Sequence, residues 1–122
     1  MRAAALAYSA LAMIAILFQL AMAAGAPWGH LTLHGRNPGQ FPPVLRALAI
    51  VQGLMLALMA LVVLARSGVI NVLVGSWAIW VVLALTGLSM LANIASPSLP
   101  ERYLWGPITA LMLACCLIVA LV

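Results

Sequence analysis

Residues 44–65 read VLRALAIVQGLMLALMALVVLA, an apolar run that contains a single charged residue, Arg46. A helix of this length can cross the hydrocarbon core of a bilayer, which takes about 20 residues and satisfies every backbone hydrogen bond within the segment. Three other stretches have the same character, namely 4–24, 69–91 and 104–122. The sequence therefore predicts an all-α membrane protein, a four-transmembrane-helix antiparallel bundle that forms one domain over residues 1–122.

The composition agrees with a membrane location. Of the 122 residues, 68% are hydrophobic and 5% are charged, and the mean hydropathy is +1.29, whereas about a quarter of the residues in a soluble domain are charged. The five basic residues, all arginines, stand at or near the ends of the predicted spans, where they can contact anionic headgroups. We therefore expect membrane lipids as partners, with a homo-oligomer or another membrane protein as further candidates, and no nucleic acid.

The N-terminal span and the orientation of the chain are open to two interpretations each. Arg2 precedes an apolar run that ends in Ala21-Met22-Ala23, which resembles a signal-peptide cleavage site. This run exceeds the roughly 7–15 apolar residues of a signal peptide, so we interpret it as a span.

The distribution of arginines bears on the orientation of the chain. Three arginines on one predicted face against two on the other favour termini outside the cell, with dual insertion as the alternative.

The connectors differ in length. Residues 25–43, GAPWGHLTLHGRNPGQFPP, form a loop longer than about 12–15 residues, a length that is usually functional or disordered, and its apolar side chains favour an ordered cap. Arg66-Ser67-Gly68 predicts a tight hairpin between the second and third spans. Because four spans place the first and third connectors on one face, a candidate interaction cap comprises Trp28, His30, His34, Arg36, Glu101, Arg102 and Trp105.

Polar residues within the spans recur at helical spacing. Small residues and a few polar contacts hold helices together in lipid, because the hydrophobic effect no longer drives their association there. Two interpretations follow for these polar residues: they form interhelical hydrogen bonds, or they line a polar path. Both place the same candidate polar interior inward: Gln19, Gln52, Thr86, Ser89 and Asn93.

The chain has few residues that could act in catalysis or bind a metal. Glu101 is the single acid of the chain, which rules out paired carboxylates, and we expect it to form an interfacial ion pair with Arg102. His30 and His34 could share one face of an extended segment, yet a metal needs at least a third ligand, for which Glu101 is the one evident donor. Cys115-Cys116 is not a C-x-x-C pair. The sequence therefore predicts no catalytic, cofactor or metal site.

The connector motifs carry a family resemblance. The pattern GAPWG, HGRNPGQFPP and later SPSLPERYLWGP resembles an uncharacterised family of small four-span bacterial integral membrane proteins. The resemblance implies a four-span fold and a location in the bacterial inner membrane, and it transfers no catalytic role. Together with the missing acids, it favours a non-enzymatic assembly, lipid-interaction or protein-interaction module, with a small oligomeric channel or facilitator for an ion or small solute as the alternative.

Overall fold

A computed structural model describes all 122 residues. It contains four helices and no strand: α1 (Arg2–Ala23), α2 (Pro43–Ser67), α3 (Ala78–Ile94) and α4 (Leu99–Leu121). Three of them, α1, α2 and α4, are long and apolar enough to cross a membrane, whereas α3 has 17 residues. The all-helical class and the membrane character predicted from the sequence are confirmed to this extent.

Helices α1 and α2 lie close to their predicted bounds of 4–24 and 44–65. Pro43 stands in the first turn of α2, where its missing N–H costs no intrahelical bond. Gly68 ends α2 with a left-handed backbone of φ 81°, and its N–H donates to the Ala65 carbonyl at 3.2 Å. Glycine adopts this conformation without the steric penalty of a Cβ atom, so the stop is local.

The third helix begins nine residues after the predicted start, at Ala78 rather than residue 69. Residues 69–77 are apolar but carry four β-branched side chains together with Asn71 and Gly75, which have modest or low helix propensity. The predicted tight hairpin is therefore wrong. Arg66 anchors this segment instead, because its guanidinium donates to the Ser76 carbonyl at 3.4 Å and to the Ala120 carbonyl near the end of α4 at 3.3 Å.

The fourth helix begins earlier than predicted, at Leu99 rather than residue 104. Ser98 is its N-cap, and the Glu101 N–H donates to the Ser98 Oγ at 3.5 Å. Pro100 is tolerated in the first helical turn. The sequence Ser-x-x-Glu before an apolar run is a capping-box signal, and hydropathy alone overlooked it.

The helices pack unequally around a central core. α1 packs extensively on α2, α3 on α4, and α1 on α4, while α2 and α3 touch little. The core lies in the half that contains the N-terminus, where Tyr8, Val63, Ile79 and Cys116 are fully or almost fully buried. The Tyr8 hydroxyl and the Thr86 Oγ1 lie 2.9 Å apart in a hydrogen bond between α1 and α3. We call this region the packed half.

Candidate functional site

A cavity of about 430 Å³ occupies the other half of the molecule, which we call the open half. All four helices and the connector between α1 and α2 contribute to its wall. The structure thereby brings together the whole predicted polar interior and three residues of the predicted cap, namely Gln19, Gln52, Thr86, Ser89, Asn93, His34, Glu101 and Trp105. Both sets were inferred separately from the sequence, and the cavity joins them.

The cavity opens sideways between α2 and α3. Its lining residues on α1 and α4 are buried or half-buried, as Trp105 and Phe18 illustrate. Half of those on α2 and α3 are exposed, including Met55, Leu85 and Ser89. Because α2 and α3 touch little and form the exposed rims, the mouth faces the surroundings of the helices, which in a membrane are the lipid chains.

The inner end of the cavity is closed by the packed half. Met59, Thr86 and Met112 line the cavity and are themselves buried. Behind them lie the Tyr8–Thr86 hydrogen bond and the apolar core. The polar side chains thus surround a pocket with one closed end, and they do not continue as a polar path through the packed half.

The connector forms the roof of the cavity and has a tightly determined backbone. It contains two short 3-10 turns, Gly29–Leu31 and Leu33–Gly35, and the Gly29 N–H donates to the Gly39 carbonyl at 3.0 Å. A Cβ atom at Gly29 would lie 1.7 Å from the Asn37 carbonyl oxygen, so only glycine fits there. The expected ordered connector is therefore present as a closed loop.

Three consecutive residues in this roof have left-handed backbones. The φ angles are 49° at Leu33, 58° at His34 and 72° at Gly35. This conformation costs roughly 1–2 kcal/mol for each residue that carries a Cβ atom, and such strain is concentrated at functional sites. Two of these residues, Leu33 and His34, line the cavity.

Hydrogen bonds within the protein satisfy some of the polar lining and leave the rest available. Thr109 donates to the Trp105 carbonyl at 2.6 Å, and the Asn93 Nδ2 donates to the Ser89 carbonyl at 2.8 Å. Bonds across helices were one of the two interpretations of Gln19 and Gln52, but their side-chain amides take part in none of the side-chain hydrogen bonds within the chain. They are free to bond to a molecule in the cavity.

Glu101 is the one acidic residue in the wall, and it is only 4% exposed. Its Oε2 accepts a hydrogen bond from the Ser96 hydroxyl at 3.0 Å, and the same Ser96 Oγ accepts one from the Ser98 N–H at 3.1 Å. The predicted ion pair with Arg102 is wrong, because the Arg102 Nε and Nη2 donate to the Ser96 carbonyl at 3.1 and 2.7 Å. The tight turn before α4 directs the two side chains to different partners.

The other predicted cap residues lie outside the cavity. His30, Trp28 and Arg36 are exposed, and Arg102 is half-buried. The Ser98 Oγ donates to the His30 carbonyl at 2.7 Å, which ties the connector to the start of α4. The first and third connectors therefore lie on one face, as the sequence predicted.

The two imidazoles occupy different positions rather than one face of an extended segment. His34 lines the cavity and His30 does not. Nowhere in the chain do three His, Cys, Asp or Glu side chains lie close enough together to hold a metal ion. Glu101 therefore does not complete a site with the two histidines.

An apolar groove continues from the cavity along the gap between α2 and α3. It has a volume of about 310 Å³, and all nine of its lining residues are hydrophobic. Met55, Met59 and Leu85 line both the cavity and the groove. We call the cavity and the groove together the slot, which is polar next to the connectors and apolar from Leu85 to Trp77.

Sequence reasoning missed several residues that shape the slot. Phe18 lines the cavity, with its ring centroid 4.9 Å from that of Trp105 in an edge-to-face pair and 6.3 Å from that of Trp28. One phenylalanine in an apolar span gives no signal of such a role. Ser98, in contrast, was open to detection from the Ser-x-x-Glu signal, whereas Ser96 lies outside that motif.

No protein-family model, curated protein or solved structure matches this chain. The resemblance to small four-span bacterial membrane proteins therefore stays a prediction.

Proposed function

We propose that this chain is a non-enzymatic lipid-interaction module of the bacterial inner membrane, which crosses the bilayer four times as an antiparallel bundle and holds one amphiphilic molecule in the slot. The observation that carries the proposal is the division of the slot into a polar cavity beside the connectors and a wholly apolar groove. This order matches a lipid in its leaflet, with its headgroup at the interface and its chain inward.

The short third helix is compatible with four crossings. Its 17 residues span roughly 25 Å at 1.5 Å per residue, somewhat less than the hydrocarbon thickness of about 30 Å. The preceding residues 69–77 are non-helical, and Leu73 is fully exposed. We propose that α3 alone makes the third crossing and that this segment lies at the interface, because non-helical backbone within the hydrocarbon core would leave its polar groups unsatisfied.

Polar contacts supply the preference for a particular amphiphile. An alkyl chain that moves from bulk lipid into the groove gains little from the hydrophobic effect, because both environments are apolar. Hydrogen bonds in the cavity, by contrast, are made where competing water is scarce. The headgroup therefore determines which molecule is retained, and the groove accommodates the chain.

The non-enzymatic assignment rests on the contacts of the two titratable groups in the cavity. General acid–base catalysis requires a donor and an acceptor within about 2.6–3.2 Å, directly or through one water. The Glu101 carboxylate bonds to Ser96 and has no hydrogen bond with His34. This arrangement favours binding over bond-breaking chemistry.

Lipid retention tests the proposal. The full chain is purified in a mild detergent, and native mass spectrometry counts the lipids that remain bound. Leu85→Trp fills the slot and should reduce the bound lipid by about tenfold or more, equivalent to at least 1.4 kcal/mol. Leu88→Trp is the matched control, because Leu88 is on the same helix, is exposed and does not line the slot. Equal retention by both variants would contradict the proposal.

The alternative is a small oligomeric channel or facilitator, favoured by the gathering of Gln19, Gln52 and Asn93 in one cavity. The closed end at Met59 and Met112 favours binding instead. Flux across liposomes that contain the purified chain distinguishes the two functions. Ion or solute leakage that Gln52→Leu abolishes would support transport, whereas tight liposomes under every applied gradient would support binding.

A further inference from the structure

The geometry points to an amphiphile with a primary ammonium headgroup as the occupant of the slot, bound through the Glu101 carboxylate. This inference rests on the proposed lipid-interaction function and specifies the chemical class of the ligand. It does not depend on α4 having an acidic first turn, which by itself is common at helix N-termini.

The first step is the incomplete hydrogen bonding of Glu101. The side chain is only 4% exposed, and it lines the cavity. Ser96 donates to Oε2, and no group of the chain donates to Oε1. A buried carboxylate is costly unless it is paired and hydrogen-bonded. The chain supplies one neutral donor to this carboxylate, and Oε1 is free to accept a hydrogen bond from a donor or a positive charge in the cavity.

The second step is the absence of arginine and lysine from the wall, in which His34 is the one basic side chain. No arginine lines the cavity, although the chain has five and no lysine. Arg102, next to Glu101 in sequence, bonds to the Ser96 carbonyl, and Arg46 donates to the Phe41 carbonyl at 2.8 Å. A phosphate or carboxylate headgroup normally needs such cations. The cavity therefore disfavours a headgroup with net negative charge and leaves its carboxylate for the ammonium of a zwitterionic or cationic headgroup.

The third step is the match between acceptors and an ammonium. A primary ammonium has three N–H donors and no acceptor. The cavity offers Glu101 Oε1 together with the side-chain carbonyl oxygens of Gln52 and Asn93, which accept no hydrogen bond within the chain. A quaternary ammonium has the same charge without the donors, so it would leave these acceptors unmatched.

Matched phospholipids provide the test. The delipidated full chain is incubated with vesicles or micelles of phosphatidylethanolamine, phosphatidylcholine or phosphatidylglycerol that carry the same acyl chains, and bound lipid is measured by native mass spectrometry. We expect phosphatidylethanolamine to bind about tenfold to a hundredfold more tightly than phosphatidylcholine, as charge-assisted hydrogen bonds imply, and phosphatidylglycerol to bind most weakly. Equal binding of the first two, or a preference for phosphatidylglycerol, would overturn the inference.

Variants at Glu101 connect this preference to the carboxylate. Glu101→Gln should remove the discrimination between phosphatidylethanolamine and phosphatidylcholine while binding of phosphatidylcholine persists. Glu101→Asp retains the charge and should retain part of the preference. A Glu101→Gln protein that still discriminates as the wild type does would overturn the inference. Should the variant fail to fold, the ranking of lipids by the wild-type chain remains a complete test.

The ammonium headgroup has two candidate sources, a single-chain amine and an aminophospholipid. Displacement by dodecylamine distinguishes them. Dodecylamine that displaces phosphatidylethanolamine, where dodecanol does not, would show that the ammonium and one alkyl chain suffice. Displacement by neither compound, with the phospholipid preference intact, would identify an aminophospholipid as the source. Binding of every amphiphile with equal affinity would refute the ammonium and preserve the proposed function, whereas no binding of any amphiphile would refute the proposed function itself.

Discussion

The two halves of this molecule contain the same four helices but differ in how closely those helices pack. In the packed half, Tyr8, Val63 and Val119 are completely buried. In the open half, the same four helices diverge between α2 and α3 and enclose a cavity of about 430 Å³ under the connector. The difference teaches that, in a chain this apolar, hydropathy identifies the membrane segments but does not indicate where helices close on one another.

The largest expected effect concerns the roof of the open half. Gly29→Ala would place a Cβ atom 1.7 Å from the Asn37 carbonyl oxygen, so the loop must open, at a cost of about 4 kcal/mol, the upper range for one substitution. Unfolding in mixed micelles measures this cost, and bound lipid should fall with it. Gly39→Asn is the control, since Gly39 has a left-handed backbone that asparagine tolerates and no atom within 4 Å of an added Cβ. A mild effect of Gly29→Ala would show that the roof is adaptable.

The packed half should respond strongly to the loss of side-chain volume. Ile79→Ala removes a side chain that is 1% exposed and should cost about 3 kcal/mol through lost packing. Met55→Ala, at the rim of the slot, should cost less than about 1 kcal/mol because that side chain is 48% exposed. Comparable losses in the free energy of unfolding for these two variants would erase the distinction between the halves.

The link between connector and α4 should have an intermediate effect. Ser98→Ala removes the N-cap of α4 and the hydrogen bond to the His30 carbonyl, which together should cost about 1.5 kcal/mol. Proteolysis of the connector in detergent should become faster as the roof loosens. Ser76→Ala is the control, because only the backbone carbonyl of Ser76 takes part in a hydrogen bond. Unchanged proteolysis would indicate that the roof is held by other contacts.

The smallest expected effect is that of the hydrogen bond at the boundary between the halves. Tyr8→Phe removes the bond to Thr86, whose hydroxyl still donates to the Val82 carbonyl at 2.8 Å. The cost should be about 0.6 kcal/mol, the average for such bonds within membranes. Tyr103→Phe, at an exposed position, should leave the free energy of unfolding unchanged. A cost well above 2 kcal/mol would mean that Tyr8 also organises the floor of the cavity.

The bounds of the first two helices could be predicted from the sequence because long apolar runs determine them. The starts of α3 and α4 could not be predicted from hydropathy, because turn and N-cap residues determine them. The bounds of α1 and α2 follow from long apolar runs with proline or glycine beside them. Helical spacing alone grouped the five polar residues that line the cavity, although Ser89 is exposed at its rim. The start of α3 was misplaced because residues 69–77, four of which are β-branched, are apolar enough to resemble part of a membrane-spanning helix. The start of α4 was misplaced because its N-cap signal lies in a polar, proline-rich stretch.

The amino-acid sequence alone therefore determined that the chain is helical and has segments long and apolar enough to cross a membrane, since scarce charge and long apolar runs leave few other structures for the backbone. Only the tertiary structure decided that α2 and α3 stand apart, that Glu101 bonds to Ser96 rather than Arg102, and that the polar residues of four helices meet in one cavity. The physical reason is that helix periodicity specifies which side of a helix is polar, whereas the distance between helices depends on how all their side chains pack together.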